Sequence, residues 1–413
     1  MTTPSLLEVG EVFRRYRHEF LEAYGDILSF EQRQVYDAVA TCRTPVLGGH
    51  LYQCDACDHQ LVLHNSCLNR HCPLCQASEA TRWLDCRLAE LLPVDYFHIV
   101  FTIPSSLDRL ALQNKRVVYD ILFQASSQTL LQIAADPKHL GAKIGFIAIL
   151  HTWGQALLEH AHVHCVVSGG GPSPDSSRWV ACRPDFFAPV QVLSRLFRGK
   201  LLSLLEQAFN DGKLSFHGSI EPLANVKRFR QLINSIRKKE LVVHAQEPHG
   251  SPKNVLKYLA RYTHRVALSN SRLISIDEGR VTFRWKDYTH ASRVRTTTLD
   301  AVEFIRRFLL HVFPKGFVRI RSYGFMANRA RQASLELCRR LLQESPARKE
   351  SPAEEDPDLD EDGTAADHEA TKKTIPCPVC GKGRMVRVME IPPTSPESTR
   401  PDVSVARPWR SPT

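Results

Sequence analysis

Three histidines at alternate positions, His160, His162 and His164, stand in the stretch Glu159-His160-Ala161-His162-Val163-His164-Cys165-Val166-Val167. Read as a strand, the period of two places these imidazoles on one face and Ala161, Val163, Cys165 and Val167 on the other. Imidazoles in that register converge on one small volume, which suits a divalent metal needing fixed nitrogen ligands and open positions for a substrate. His162 and His164 are the expected ligands, and His160 is a further candidate. Gln155, Glu159 and Asn254 are also chemically eligible to complete the set. The bland reading is a polar strand face with unrelated histidines, and three in register beside an apolar face weigh against it.

The second chemical stretch runs from Ser251 to Arg265. Ser251 is a good N-cap and Pro252 a good first helical residue, so the segment predicts a helix with Tyr258 and Tyr262 one turn apart on one face. Lys257, Arg261, His264 and Arg265 surround them. A phenol beside a metal and cations is a competent nucleophile toward a phosphodiester, because both the phenolate and the charge developing on phosphorus are stabilised. An aromatic pair at helical spacing fits a packed core equally well; its occurrence with the histidine strand favours chemistry.

The third is a cysteine cluster. Cys54-x2-Cys57 and Cys72-x2-Cys75, separated by fourteen residues, can close one tetrahedral thiolate site as the two knuckles of a zinc ribbon. Cys42, His50, Cys67 and His71 are surplus to one such site, so an exchange of ligands, with Cys67 or His71 entering, or a second ion stays open. Cys377-x2-Cys380 is a lone knuckle with two sure ligands. Arg70 and Arg82 suit DNA contact, as do Lys257, Arg261 and Arg265; the alternative is that the ribbon only braces the nuclease domain.

The chain of 413 residues carries a formal net charge of +10, yet Glu350 to Glu369 holds ten Asp or Glu and no Lys or Arg. The remainder therefore has an excess of about twenty positive charges, which favours a polyanionic partner. The basic segment Lys227, Arg228, Arg230, Arg237, Lys238 and Lys239 fits backbone contact with DNA, or plain solvation. Trp285 and Tyr288, beside Arg284 and Lys286, could stack on unpaired bases or pack in a core. No signal segment or long apolar run is evident, so no membrane association is expected and a soluble cytoplasmic protein is. Twelve cysteines, many in Cys-x-x-Cys pairs, argue for metal ligation in a reducing compartment.

The positioning elements follow from pattern. Tyr96 to Ile103 is β-rich and ended by Pro104; Leu107 to Ala135 predicts a helix, and Ile144 to Leu150 a strand that can pair with the histidine strand. Pro189 to Asn210, Glu221 to Glu240 and Ala301 to Val312 predict further helices, and Arg272 to Ile276 with Arg280 to Trp285 a hairpin. A basic character is expected to continue through Arg319, Arg321, Arg329 and Arg331. This order suits an α+β fold, an antiparallel sheet covered on one side.

His162-Val163-His164 resembles the His-hydrophobe-His signature of HUH single-strand endonucleases, and Tyr258-x-x-x-Tyr262 the paired tyrosines of their two-tyrosine transposases. With the cysteine cluster, Tyr96-Phe97-His98-Ile99-Val100-Phe101-Thr102-Ile103-Pro104 and Pro314-Lys315-Gly316-Phe317-Val318-Arg319-Ile320-Arg321-Ser322-Tyr323-Gly324, the chain is similar to the rolling-circle transposases of the insertion sequence 91 family. That resemblance implies histidines on a central strand and tyrosines on an adjoining helix. It implies structural Zn²⁺, catalytic Mg²⁺ or Mn²⁺, and cleavage of single-stranded element ends through a 5′-phosphotyrosine. It also implies a prokaryotic cytoplasmic setting, nucleoid-associated when bound to DNA. A replication initiator or relaxase with the same chemistry is the near alternative, and a non-catalytic zinc DNA-binding protein the distant one.

The expected organisation is an N-terminal helical segment (1–41), a transposase zinc-binding domain (42–92) and an HUH two-tyrosine nuclease domain (93–344). A disordered acidic linker (345–373) and a tail with one Cys-x-x-Cys knuckle (374–413) complete it.

Overall fold

Gly145–Trp153 is buried at every position, as befits a strand with neighbours on both edges and cover on both faces. It belongs to a five-stranded antiparallel sheet, ordered Ile320–Gly324, Gly145–Trp153, Glu159–Ser168, Tyr96–Thr102, Val243–Gln246, with the histidine strand at the centre. The computed structural model describes residues 7–76, 90–154, 157–183, 187–246, 267–287, 293–344 and 375–394. Two compact units are present, one built from residues 1–79, 264–312 and 361–413, the other from 80–263 and 313–360.

In the second unit the sheet's odd-numbered histidine-strand face is apolar: Val163, Cys165 and Val167 are wholly buried, flanked by Phe97, Ile99 and Phe101. Helix Val190–Asn210 covers this face, with Phe197 against Phe101 at 4.9 Å between ring centroids. Helix Lys115–Ala135 also packs on the sheet and on Val190–Asn210. The Arg321 guanidinium lies 4.1 Å over the Phe123 ring and pairs with Asp120, which ties the edge strand Ile320–Gly324 to that helix.

The opposite face is divided rather than open. At one end Tyr96, Ile147, Ile149 and Val166 form a core with Leu335 and Cys338 of helix Arg331–Gln343; at the other end lie the histidines. The expectation of a sheet covered on one side therefore needs amending, because Leu335, Cys338 and Leu341 give the last helix an apolar stripe of its own to bury.

The predicted helix Leu107–Ala135 is broken at Asn114 into Asp108–Gln113 and Lys115–Ala135. The Asn114 amide instead clamps Ser215, donating to its carbonyl at 2.9 Å and accepting from its N–H at 2.7 Å. Helix Val226–Arg237 starts later than Glu221, because Pro222 sits in a 3-10 turn and Asn225 caps the Lys227 and Arg228 N–H groups. The hairpin gains a third strand, Arg293–Asp300, which pairs with Arg280–Asp287 on the edge opposite Leu273–Asp277.

In the first unit, helix Phe30–Thr41 begins with a capping box, Ser29 and Gln32 bonding each other's backbone N–H. Phe13 packs edge-on against Phe308 at 5.3 Å and beside Tyr36 at 5.2 Å, so helix Ala301–Leu310 closes the N-terminal helices into one core. Two expected boundaries change as a result. Residues 267–312 leave the nuclease segment, because helix Ala301–Leu310 packs on the N-terminal helices, Phe308 against Phe13, while its Phe304 meets Phe283 of the three-stranded sheet. Residues 375–394 are no tail: Arg384–Ile391 pairs with Gly49–Cys54, whose other edge pairs with Gln60–His64. The acidic segment 345–373 lies outside the described residues.

Candidate metal centres and nuclease site

His162 and His164 stay on one face of the central strand, and the register sets His151 of Gly145–Trp153 directly opposite His162. The ligand nitrogens of His151, His162 and His164 all lie within 4.8 Å of one another. His151 is the member that the sequence reading missed. It sits alone among apolar residues, and only strand register brings it to the pair.

The imidazoles are held in the ligand form by their surroundings. The Nδ1 of His162 stands 2.6 Å from the His160 carbonyl oxygen, to which it donates, and that fixes Nε2 as its lone-pair nitrogen. His164 Nδ1 is 2.8 Å from His98 Nε2, so Nε2 is the edge that His164 turns to the cluster. Burial pushes the His162 pKa down to about 4 and that of His164 well below the usual range, which keeps both neutral and able to coordinate. His160 is exposed, 5.2 Å from the His162 ring, and stands outside the set; its contribution is the backbone carbonyl. Glu159 is also outside it and, with burial first, raises Asp108 to about 6. Arg82, Gln155, Asn254, the tyrosines Tyr258 and Tyr262, Lys257, Arg261, His264 and Arg265 lie outside the described residues.

The cysteines gather in two groups, and Cys54 and Cys57 do not join Cys72 and Cys75. Cys72 and Cys75 converge with Cys42 and Cys67, and Cys54 and Cys57 converge with Cys377 and Cys380. In the first group the Cys42–Cys75 and Cys67–Cys75 Sγ separations are 3.6 and 3.7 Å. The edge of a tetrahedron with Zn–S near 2.3 Å is about 3.8 Å, so the four sulfurs fit zinc. Hydrogen bonding with Cys42 pulls the Cys75 thiol far down and pushes Cys67 far up: four such sulfurs ionise together only around a cation. Cys67 thus enters the group and His71, bonded through its backbone N–H to Asn69, does not. The knuckles nearest in sequence are not partners, because Cys54 and Cys57 sit at the turn of the Gly49–His64 hairpin, where Arg384–Ile391 arrives.

The basic candidates divide. Lys227, Arg228 and Arg230 are exposed on helix Val226–Arg237, which buries Phe229, Ile233 and Ile236; Lys238 and Lys239 are exposed just past its end, and Arg237 pairs with Glu206 at 3.3 Å. Arg70 is half-buried, Arg319 is buried, and Arg331 pairs with Glu90 at 3.1 Å, so these last two serve the fold. Trp285 donates from Nε1 to Thr297 at 2.7 Å and is half-buried on its sheet; Tyr288 lies outside the described residues.

Comparison with known proteins places these features in context. Residues 12–103 match the family model described as "Transposase zinc-binding domain", and residues 145–334 the one described as "Putative transposase". A protein of Sinorhizobium fredii, "Putative transposase y4qJ", is 50% identical over 382 residues, 92% of this chain and 94% of that one. The transposase of insertion sequence element IS801 from Pseudomonas savastanoi pv. phaseolicola is 28% identical over 294 residues, 70% of this chain and 68% of that one. Among solved structures, the conjugative relaxase TrwC in complex with oriT DNA, in a copper-bound structure, matches with TM-score 0.24 and 15% identity over 40% of this chain and 68% of that one. Its metal-free counterpart gives the same TM-score and identity, over 71% of that chain. Among the described residues no helix is long and apolar enough to cross a membrane. With half its residues shared along nearly the whole of a transposase, and both family models matched in order, the chain belongs to the insertion sequence 91 family of transposases with an N-terminal zinc-binding domain.

Proposed function

We propose that this transposase cleaves and rejoins single DNA strands at element ends, in rolling-circle transposition, through a 5′-phosphotyrosine formed on Tyr258 or Tyr262. The observation that carries the reading is the convergence of His151, His162 and His164 on two adjacent strands, with the His162 ring oriented by the His160 carbonyl and the His164 ring by His98. These three residues would hold Mg²⁺ or Mn²⁺. When bound, the ion would neutralise charge on the scissile phosphate and make phosphorus the better electrophile.

The rest is done by the chain. One phenol attacks phosphorus and loses its proton, the bond to the 3′ oxygen breaks, and that oxygen gains a proton to become a 3′-hydroxyl. The phosphodiester energy is kept in the tyrosine ester, so rejoining needs neither water nor ATP. A second phenol four residues along the sequence would allow a second cleavage while the first strand is still attached. Lys257, Arg261 and Arg265 would grip the backbone beside it, and Arg70 would contribute from the zinc-binding domain, with zinc held by Cys42, Cys67, Cys72 and Cys75.

The test is incubation with Mg²⁺ or Mn²⁺ and end-labelled single-stranded oligonucleotides from the flanks of the gene. A denaturant-resistant protein–DNA adduct that needs the divalent ion is expected. Cleavage that leaves no adduct would overturn the reading.

A further inference from the structure

We propose a second structural zinc site, assembled from the two ends of the chain: Cys54 and Cys57 from the N-terminal module, Cys377 and Cys380 from the C-terminal segment. Their four ligand sulfurs lie within 4.8 Å of one another, with Cys54–Cys380 at 3.7 Å and Cys57–Cys377 at 3.6 Å. Those separations match the edge of about 3.8 Å expected for tetrahedral Zn–S bonds and are far beyond the roughly 2.05 Å of a disulfide.

The backbone around the sulfurs is built to the same end. Ala56 N–H points at Cys54 Sγ at 3.4 Å and Gly383 N–H at Cys380 Sγ at 3.3 Å, so each knuckle donates toward its own thiolate. The knuckles are also sewn together: Asp55 N–H donates to the Arg384 carbonyl at 3.1 Å, and Arg384 N–H to the Asp55 carboxylate at 2.7 Å. Gly383 carries no side chain for a reason, since a Cβ there would run into Cys54 Sγ and Ala56 Cβ. Gly381, at φ +62°, lets the second knuckle close on itself through its N–H to the Cys377 carbonyl at 3.0 Å.

Apolar packing does not account for the cluster. Cys57 is exposed and Cys380 half-buried, whereas sulfurs gathered for burial alone would be covered. Ion binding does account for it. The site staples Arg384–Ile391 into the sheet as the neighbour of Gly49–Cys54. The zinc-binding domain matched at residues 12–103 is therefore incomplete by itself: a chain ending before Cys377 supplies two of the four ligands.

The experiment uses the full chain, freed of loosely held metal, with zinc counted by elemental analysis and each cysteine's alkylation by N-ethylmaleimide followed by mass spectrometry. Two tightly held zinc ions are expected, falling to one in the Cys377→Ser, Cys380→Ser variant. With zinc bound, Cys54, Cys57, Cys377 and Cys380 should alkylate at least about tenfold more slowly than after chelation, exposed Cys57 included. That second readout needs no variant and stands if the double variant does not fold. One zinc in the native chain, two in the variant, or free alkylation of Cys377 and Cys380 while Cys54 and Cys57 stay protected would each overturn the proposal.

Discussion

His98 and His164 lie edge to edge, their ring centroids 5.0 Å apart and their planes 2° from parallel, with His98 Nε2 meeting His164 Nδ1 at 2.8 Å. His98 comes from the strand Tyr96–Thr102, lies outside the convergent set and meets it at His164, which makes it a positioning residue. Its removal leaves His164 free to turn or change tautomer, and such outer partners are typically worth about 10–100-fold in metal affinity. His98→Ala should weaken Mn²⁺ binding by about that factor, read by calorimetry, with cleavage restored at higher Mn²⁺. His98→Gln, which keeps a donor and acceptor at that place, should recover much of the loss. A purely structural His98 would lower the melting temperature without a change that Mn²⁺ can rescue.

His151 and His160 are distinguished by position. His151 belongs to the convergent group of imidazoles, while His160 stands outside it and meets His162 through its carbonyl. His151→Ala should lose metal-dependent cleavage by more than the outer-partner factor of roughly 100, whereas His160→Ala, which retains its carbonyl, should stay near the parent. Equal losses in the two variants would mean that the ion is held by a different set. The acid limb of the reaction should lie low, because burial puts His162 at about 4 and its neutral form persists above that.

The contrast also measures what the sequence discloses. Period two in Glu159–Ser168 is a local property, so the placing of His162 and His164 on one face is legible without coordinates. His151 is set by which residue of the next strand falls opposite, and register is non-local. Cysteine pairing follows the same rule: each Cys-x-x-Cys knuckle is plain, but which knuckle meets which depends on where Arg384–Ile391 docks, some three hundred residues after Cys57. The apolar stripe of Ala301–Leu310 is readable, and its burial against Phe13 is not, since an amphipathic helix does not name its partner.

Glu303 offers a test of the first unit. Hydrogen bonding from Arg306 first, then from Arg307, holds its carboxyl at about 2 against an ordinary 4.5, with Nε–O distances of 2.6 and 2.7 Å. A depressed acid stabilises the folded state above its unfolded pKa and loses that contribution as pH falls through the folded value. Glu303→Gln should therefore cost about 1 kcal/mol near neutral pH, the order for a partly exposed ion pair. The difference from the parent should shrink between pH 4.5 and about 2. Denaturant melts of both proteins across that range check it; a gap independent of pH would assign the loss to packing.

The two phenols carry the sharpest expectation, because the chemistry assigned to them consumes a hydroxyl that binding does not need. Tyr258→Phe, Tyr262→Phe keeps both rings, and DNA affinity should change by less than about threefold, under 1 kcal/mol. The covalent adduct should vanish, since phenylalanine has no oxygen to attack phosphorus. Each single variant should still form an adduct on the remaining tyrosine, but neither should complete paired cleavage, where a second nucleophile must act before the first ester is resolved. Gel analysis of denatured adducts reads both properties at once. An adduct surviving in the double variant would place the nucleophile elsewhere in the chain.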